Sequence, residues 1–467
     1  MEELVVDVLV IGWGKGGKTL AGALGRNGRT VALVERSREM VGGSCINIAC
    51  VPTKDLVESA AHRRDDDDPQ AWFADAVAGR DNLVEKLRAR NHAMLSEVEA
   101  VTLVGGRARF TAPHQVEVTA GDDRMLVRAA SIVVNTGTVP AWPDIPGAVP
   151  SARVHDSTTI QHVSPLPERL VIVGGGDVAL EFADMFAQFG SRVTLVQRGA
   201  RVLRHEDADV ADAARELLEE HGVEFITGAA VTSIVDAPDR ATVAVAVAVA
   251  VDGVAREFAA DAVLLATGRR PATDDLGLDV AGIVRDERGY VVVDERLGTS
   301  VEGVYAVGDV NGGPQFTYVS LDDHRIVTDR IMGAGRRTIV DRVAVPRTTF
   351  LTPPLARVGL NVTQARAQGR AVLVGSKRIA DIAAMPRPKI VGETHGLISV
   401  VVDPGTDLVL GATVFSIDAH EVINLIALAM RAGVSATALR DGIWTHPSST
   451  EALNEVLASL IPASAAA

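Results

Sequence analysis

A near-continuous apolar run, Leu4 to Ile11, ends in Gly12-Trp13-Gly14-Lys15-Gly16-Gly17, and no other feature restricts the fold of this chain as much. An unbroken apolar run is what a parallel strand covered on both faces needs. The glycines after it permit a tight turn, close approach of backbone N–H groups to a pyrophosphate, and close helix–strand packing. The spacing predicts a helix from Lys18 to Gly28 whose positive end faces the phosphates. A second strand, Thr30 to Val34, ends at Glu35, where a carboxylate can accept hydrogen bonds from an adenosine ribose. The pattern recurs where Leu170-Val171-Ile172-Val173 runs into Gly174-Gly175-Gly176-Asp177-Val178-Ala179, followed by a helix through Phe189 and a strand from Arg192 to Val196. Two bound nucleotides are implied. In the second unit Gln197 stands where the first has Glu35, and Arg198, Arg201 and Arg204 follow. An uncharged Gln does not repel a 2′-phosphate, and guanidinium groups can fork onto one, so NADPH is expected rather than NADH. A solvated basic loop is the alternative.

Length and composition bound the rest. With 467 residues, 43 of them Gly, and 47% hydrophobic content, the chain suits an α/β architecture of roughly three domains. A net charge of −14 provides no global field for nucleic acid or an anionic membrane surface. The longest apolar run, Ala241 to Val251, is short of the ~20 residues that cross a bilayer, and its small/branched alternation suits a strand. Glu2, Glu3 and Asp7 occupy the start, where an export signal would carry basic residues, so a cytoplasmic protein is expected. Arg63-Arg64-Asp65-Asp66-Asp67-Asp68-Pro69 reads as a solvated loop between two helices, and no metal site is expected.

Two cysteines, Cys45 and Cys50, are the whole cysteine content, too few for a stapled secreted framework or a four-thiolate zinc site. They lie in Gly42-Gly43-Ser44-Cys45-Ile46-Asn47-Ile48-Ala49-Cys50-Val51-Pro52-Thr53-Lys54, where Pro52 marks a helix start close to Cys50. A helix N-terminus stabilises thiolate, as a redox-active cysteine requires. Two inert buried cysteines are the bland alternative.

The Gly42–Lys54 stretch resembles the redox-disulfide signature of the flavoprotein disulfide reductases, the family of glutathione reductase, lipoamide dehydrogenase and mercuric reductase. Asn135-Thr136-Gly137 and Ala266-Thr267-Gly268-Arg269-Arg270-Pro271 resemble the turns that return the chain between that family's nucleotide domains. Gly303 to Asp309 resembles its second FAD motif, and His446-Pro447-Ser448-Ser449-Thr450-Glu451 its His-Pro…Glu segment. The resemblance spans nearly the whole chain. It implies two Rossmann-like domains plus a C-terminal α+β dimerisation domain: FAD-binding residues 1–150 and 271–342, NADPH-binding residues 151–270, and interface residues 343–467. FAD would be held by Gly12, Gly14, Gly17, Glu35, Gly43, Ser44, Lys54, Thr136, Gly137, Gly308 and Asp309. NADPH would be held by Gly174, Gly176, Ala179, Gln197, Arg198, Arg204 and Gly268. Electrons would pass from NADPH through flavin to a Cys45–Cys50 disulfide, with Cys50 the thiolate against the flavin and Cys45 the exposed interchange thiol. Lys54 and Glu181 would form an ion pair near the flavin. His446, oriented by Glu451 and lent by the partner of a homodimer, would move protons for the attacking thiol.

Departures narrow the substrate. No cysteine follows Cys50, which disfavours relatives that relay electrons to a second pair, and Gln197 disfavours a lipoamide dehydrogenase. Ala49 replaces a glycine, which should stiffen or displace the turn, and Asp177 stands where many relatives have an aromatic or aliphatic residue shielding the flavin. Gly12–Ala21, Gln315–Asp323 and Leu351–Gly359 look most like a mercuric-reductase-like bacterial branch that includes reactive-chlorine-resistance flavoproteins acting on hypothiocyanous acid. The resemblance implies reduction of such a small oxidant; a low-molecular-weight disulfide or a copper or mercury ion is the alternative substrate. Oxidase or diaphorase action directly at the flavin, or a non-catalytic redox sensor, are the competing functions.

Overall fold

The computed structural model describes residues 2–247 and 255–463. The chain divides into two compact units, one made of residues 1–56, 75–141 and 267–342, the other of 57–74, 142–266 and 343–467.

In the first unit the apolar opening run becomes the strand Glu2–Ile11, its last four residues buried, in the middle of a seven-stranded sheet. Val31–Glu35 and Val101–Gly105 extend the sheet on one side, and Asp123–Val134 flanks it on the other, all parallel. Arg107–Ala112 and Gln115–Ala120 complete it as antiparallel strands. Apolar clusters cover both faces, as an unalternating central strand demands. The helix runs Lys15–Arg26 and so starts three residues before its predicted position, because Gly16 and Gly17 are themselves helical. A Cβ on Gly17 would come within 2.3 Å of the Asn135 amide, so only glycine allows this first turn to sit against the sheet edge. The strand Val304–Ala306 pairs with Ile132–Val134 and delivers Gly308 and Asp309 to that same edge.

The second unit carries a five-stranded parallel sheet, in the order Glu224–Thr227, Arg192–Gln197, Arg169–Val173, Ala262–Leu265, Val154–His155. The predicted turn and helix follow Val173, the helix spanning Asp177–Phe189. A three-stranded antiparallel sheet includes Ala241–Val247, the start of the alternating run; its remainder, 248–251, lies outside the described residues. A six-stranded antiparallel sheet, running from Arg347–Thr349 at one edge to Ile461–Pro462 at the other, packs its core strands against the helix Ala419–Ala432, which begins six residues before the predicted Leu425. Buried Glu206, reached by Arg347 and by Arg357 at 3.2 Å, ties this sheet to the parallel one. Asp184 does the same through the backbone N–H of Thr352. The Arg63–Asp68 loop separates two helices as expected, but Arg63 docks onto the carbonyl of Gln188, and Asp68 caps the following helix through the Ala71 N–H.

Candidate redox and nucleotide sites

The cysteine segment forms a one-turn helix, Ser44–Asn47, and then the helix Cys50–Ala61. Gly42 and Gly43 enter it with φ of +97° and +84°. At Gly43 ψ is −179°, a glycine-only combination, and a Cβ would lie 2.7 Å from the Gly14 Cα. The redox turn is thus pressed against the first glycine turn. Ala49 is outside the left-handed region, so its methyl carries no backbone strain; Ala49 N–H bonds Ser44 O at 2.9 Å and its carbonyl receives Thr53 N–H. The conformations that only glycine accepts in this turn are those of Gly42 and Gly43.

Both cysteines are free thiols. Cys50 is lowered from 9.0 to about 6, first by the hydrogen bond that Cys45 donates to it, then by the Thr317 hydroxyl, the Lys54 ammonium and its own backbone N–H. Cys45 is pushed up, by that same hydrogen bond and by burial. One proton is therefore shared so that negative charge rests on Cys50. Cys50 lies exposed at the head of its helix, and Cys45 is half-buried in its short turn between buried Val41–Gly43 and Ile46–Asn47. Thr317, whose Oγ1 lies 3.6 Å from Cys50 Sγ, heads the helix Thr317–Met332. It was within a stretch singled out for resemblance, but nothing in its spacing could have signalled contact with a residue 267 positions away.

The glycine turns expected to hold FAD lie together in the first unit. Gly12, at φ +99°, has the Asn135 carbonyl where a Cβ would sit, and Gly14 and Gly17 face the Asn135 side chain, which donates to Gly12 O at 2.9 Å. Glu35 accepts Trp13 N–H on one oxygen and Ser37 N–H on the other, and burial pushes its carboxyl up. Gly137, at φ +67°, follows Thr136, whose buried hydroxyl has no protein partner. Gly308 N–H bonds the buried Asp323, and Asp309 accepts the Thr138 hydroxyl at 3.0 Å while burial raises it. Ser44 opens the redox turn. A glycine cradle, a terminal carboxylate and an orphaned buried hydroxyl fit an adenine dinucleotide with a ribityl chain. Asn135, Asp323 and Ser320, which accepts Gly16 N–H, stand in stretches quoted for resemblance, but the sequence gives them no role because they hold the turns through contacts distant along the chain.

In the second unit Gly174, at φ +135°, presses on Ala266 O, and the Gln197 side chain covers Gly175. Gly176 caps the helix and Ala179 is fully buried against the strand. Arg198, Arg201 and Arg204 are exposed beyond the strand end. Gly268, at φ +114°, falls in the first unit. Asp177 accepts the Thr349 hydroxyl at 2.6 Å. Glu181 is buried and receives Phe350 N–H at 2.8 Å; it belongs to the second unit and Lys54 to the first. His446 is exposed, with Nδ1 2.9 Å from Glu451 Oε1. Ser448 N–H holds the other Glu451 oxygen and, with His446, keeps that carboxyl below its usual range. The carboxylate thereby orients the ring and leaves Nε2 outward. No helix among the described residues is long and apolar enough to cross a membrane.

Comparison with known proteins agrees with this geometry. The pyridine nucleotide-disulphide oxidoreductase family model matches residues 6–323, and the model of that family's dimerisation domain matches residues 345–457. The chain is 40% identical over 450 residues to the probable pyridine nucleotide-disulfide oxidoreductase RclA of Escherichia coli, covering 96% of this chain and 98% of that one. It is 32% identical to a mercuric reductase of Staphylococcus aureus, covering 96% and 81%. Among solved structures, a Cu(II) complex of the HOCl-induced flavoprotein disulfide reductase RclA from Escherichia coli superposes with a TM-score of 0.91 at 39% identity, covering 98% and 99%. With paired thiols beside a glycine cradle, a second nucleotide unit and matches along almost its full length, the chain belongs to the pyridine nucleotide-disulphide oxidoreductases and is a flavoprotein disulfide oxidoreductase that uses FAD and NAD(P)H.

Proposed function

We propose that this protein is an NADPH-dependent reductase of a small thiol-oxidising species, hypothiocyanous acid or a related reactive-chlorine product, working through Cys45 and Cys50. The observation that carries the reading is the shared proton: Cys50 is held as thiolate by Cys45, Thr317 and Lys54, while Cys45 keeps the proton it must lose to attack. Similarity to an HOCl-induced RclA supports the class of oxidant. FAD would be held by the glycine cradle with Glu35, Thr136 and Asp309 and would supply the two-electron relay from nicotinamide to disulfide. Cys50 would be the sulfur that exchanges electrons with it and Cys45 the one that meets the oxidant. His446 of the partner subunit, oriented by Glu451, would take the Cys45 proton.

The thiol chemistry balances. Cys45 thiolate attacks the sulfur of HOSCN, the S–O bond breaks and hydroxide takes up a proton to leave as water. Cys50 thiolate then attacks Cys45 sulfur, forming the S–S bond and expelling thiocyanate. Two thiols become one disulfide and the oxidant gains two electrons; one NADPH and one proton restore the dithiol. The domain roles that go with this reading are residues 1–150 and 271–342 for FAD, 151–270 for NADPH and 343–467 for a homodimer interface, in a cytoplasmic protein.

The test is anaerobic reduction by NADPH followed by hypothiocyanite, hypochlorite, glutathione disulfide and other small disulfides, Hg(II) and Cu(II). Rapid stoichiometric reoxidation by hypothiocyanite, abolished in Cys45→Ser, is expected. Preferential turnover of Cu(II) would favour metal-ion reduction, a reading to which the RclA copper complex lends weight. Full turnover by Cys45→Ser would move the reaction to the flavin itself.

A further inference from the structure

Behind the redox turn sits a buried ammonium that the chemistry above does not use. Lys18, the residue after the glycine motif, is only 6% exposed. Its Nζ donates to Gly42 O at 2.9 Å and to Asn91 Oδ1 at 2.5 Å. Asn91 lies on the long helix Pro69–Ser96, one turn after Arg88, whose Nε donates to Asn47 Oδ1 at 3.0 Å. Asn47 in turn donates to Val41 O and Gly43 O, both at 2.9 Å. The turn that carries Cys45 is therefore clamped by two cationic side chains, directly by Lys18 and through Asn47 by Arg88.

Burying a lysine against a carbonyl and an amide is costly, since neither acceptor cancels its charge. The Cys45 sulfur, once ionised, is the negative charge that favours it. Negative charge on Cys45 raises Lys18, and Lys18 in turn lowers Cys45, against burial and the neighbouring Lys15, which bring Lys18 down to about 8. Lys54 stands in the same relation to Cys50.

We propose that Lys18 is a positioning residue of the redox centre: it fixes the Val41–Asn47 turn through Gly42 and holds a positive charge behind Cys45 for the moment that sulfur becomes an anion. Each sulfur then has its own ammonium, Lys54 for Cys50 and Lys18 for Cys45. The inference rests on the proposed reductase reading only in making Cys45 the attacking sulfur.

The experiment places Cys50→Ser in every protein, so that one thiol remains, and uses FAD-loaded enzyme reduced with dithiothreitol, without NADPH. Iodoacetamide labelling of Cys45, read by peptide mass, is followed from pH 6 to 10. Lys15 on the same helix, Arg88 on the long helix and Lys54 on the Cys50 helix are charged groups near the site and are common to all variants. Adding Lys18→Met is expected to slow labelling at pH 7, where the ammonium is charged, roughly tenfold, the difference fading as pH rises through about 8. Lys18→Gln keeps a donor for Gly42 but no charge, and is expected to do the same; it also serves if the Met variant does not fold. Profiles that superimpose on the Cys50→Ser parent, with flavin content and thermal midpoint as the only changes, would overturn the proposal, because a purely structural lysine would not move the thiol titration. Failure of the reductase reading would show elsewhere, as the absence of new free thiols when the unaltered enzyme meets NADPH.

Discussion

Lys54 lies one turn along the helix from Cys50, and its charge is one of the causes that bring that thiol from 9.0 to about 6. Because the folded value is the lower one, the thiolate's contribution to stability is complete above about pH 9 and is lost as pH falls through about 6. Reactivity has the same sign. In the reduced enzyme, rapid alkylation of Cys50 should persist from alkaline pH down to about 6 and then fail. Lys54→Met should raise that midpoint by about one unit, measured by labelling in a Cys45→Ser background alongside the unaltered lysine. The residue scale also shows where sequence reasoning ran out. Cys45, Cys50 and Lys54 are neighbours along the chain, so composition and a helix-start signal sufficed to associate them. Thr317 reaches Cys50 from 267 residues downstream, and Lys18 reaches the carbonyl of Gly42 from the preceding nucleotide turn, contacts that no local pattern encodes.

Turns are the elements on which both cofactor sites depend. Gly43 occupies a conformation that side chains do not tolerate and faces Gly14 at a distance that leaves no room for a methyl. Gly43→Ala is expected to cost about 1–3 kcal/mol from backbone strain alone and to lower flavin content, measured by flavin absorbance per chain and thermal melting. Ala49→Gly should change neither appreciably, since Ala49 is unstrained. In the second unit, exposed Arg198 and Arg204 follow the strand that ends at Gln197. The double variant Arg198→Ala/Arg204→Ala should raise the KM for NADPH roughly 10–100-fold while leaving that for NADH little changed, the value of one or two charge-assisted hydrogen bonds. Steady-state kinetics with both nucleotides decides it. These elements were legible because strand, glycine turn and helix are contiguous; the side chains that lock them, Asn135 and Asp323, come from other strands and helices and carry no local signature.

The proposed dimer belongs to the scale of the whole molecule. If His446 serves the partner's Cys45, then Cys45→Ser and His446→Gln homodimers each lack every complete site, but a heterodimer of the two regains one. Co-expression with two affinity tags should therefore restore about half the unaltered activity per dimer. His446→Gln alone should lose about 100-fold or more in oxidant turnover, the usual worth of a placed acid–base group, while NADPH still generates free thiols. An inactive heterodimer would place the proton carrier within one subunit. By itself the sequence determined the two strand–turn–helix units, the redox thiol pair and the α/β class, because each follows from hydrophobic periodicity and glycine chemistry acting over a dozen residues. Only the tertiary structure decided that Gly43 presses the redox turn against the first glycine turn, that Thr317 reaches Cys50 from a distant helix, and that a buried lysine holds that turn through Gly42. Burial, electrostatic support and close backbone approach are properties of surfaces brought together from distant parts of the chain, and they exist only once the sheets have closed.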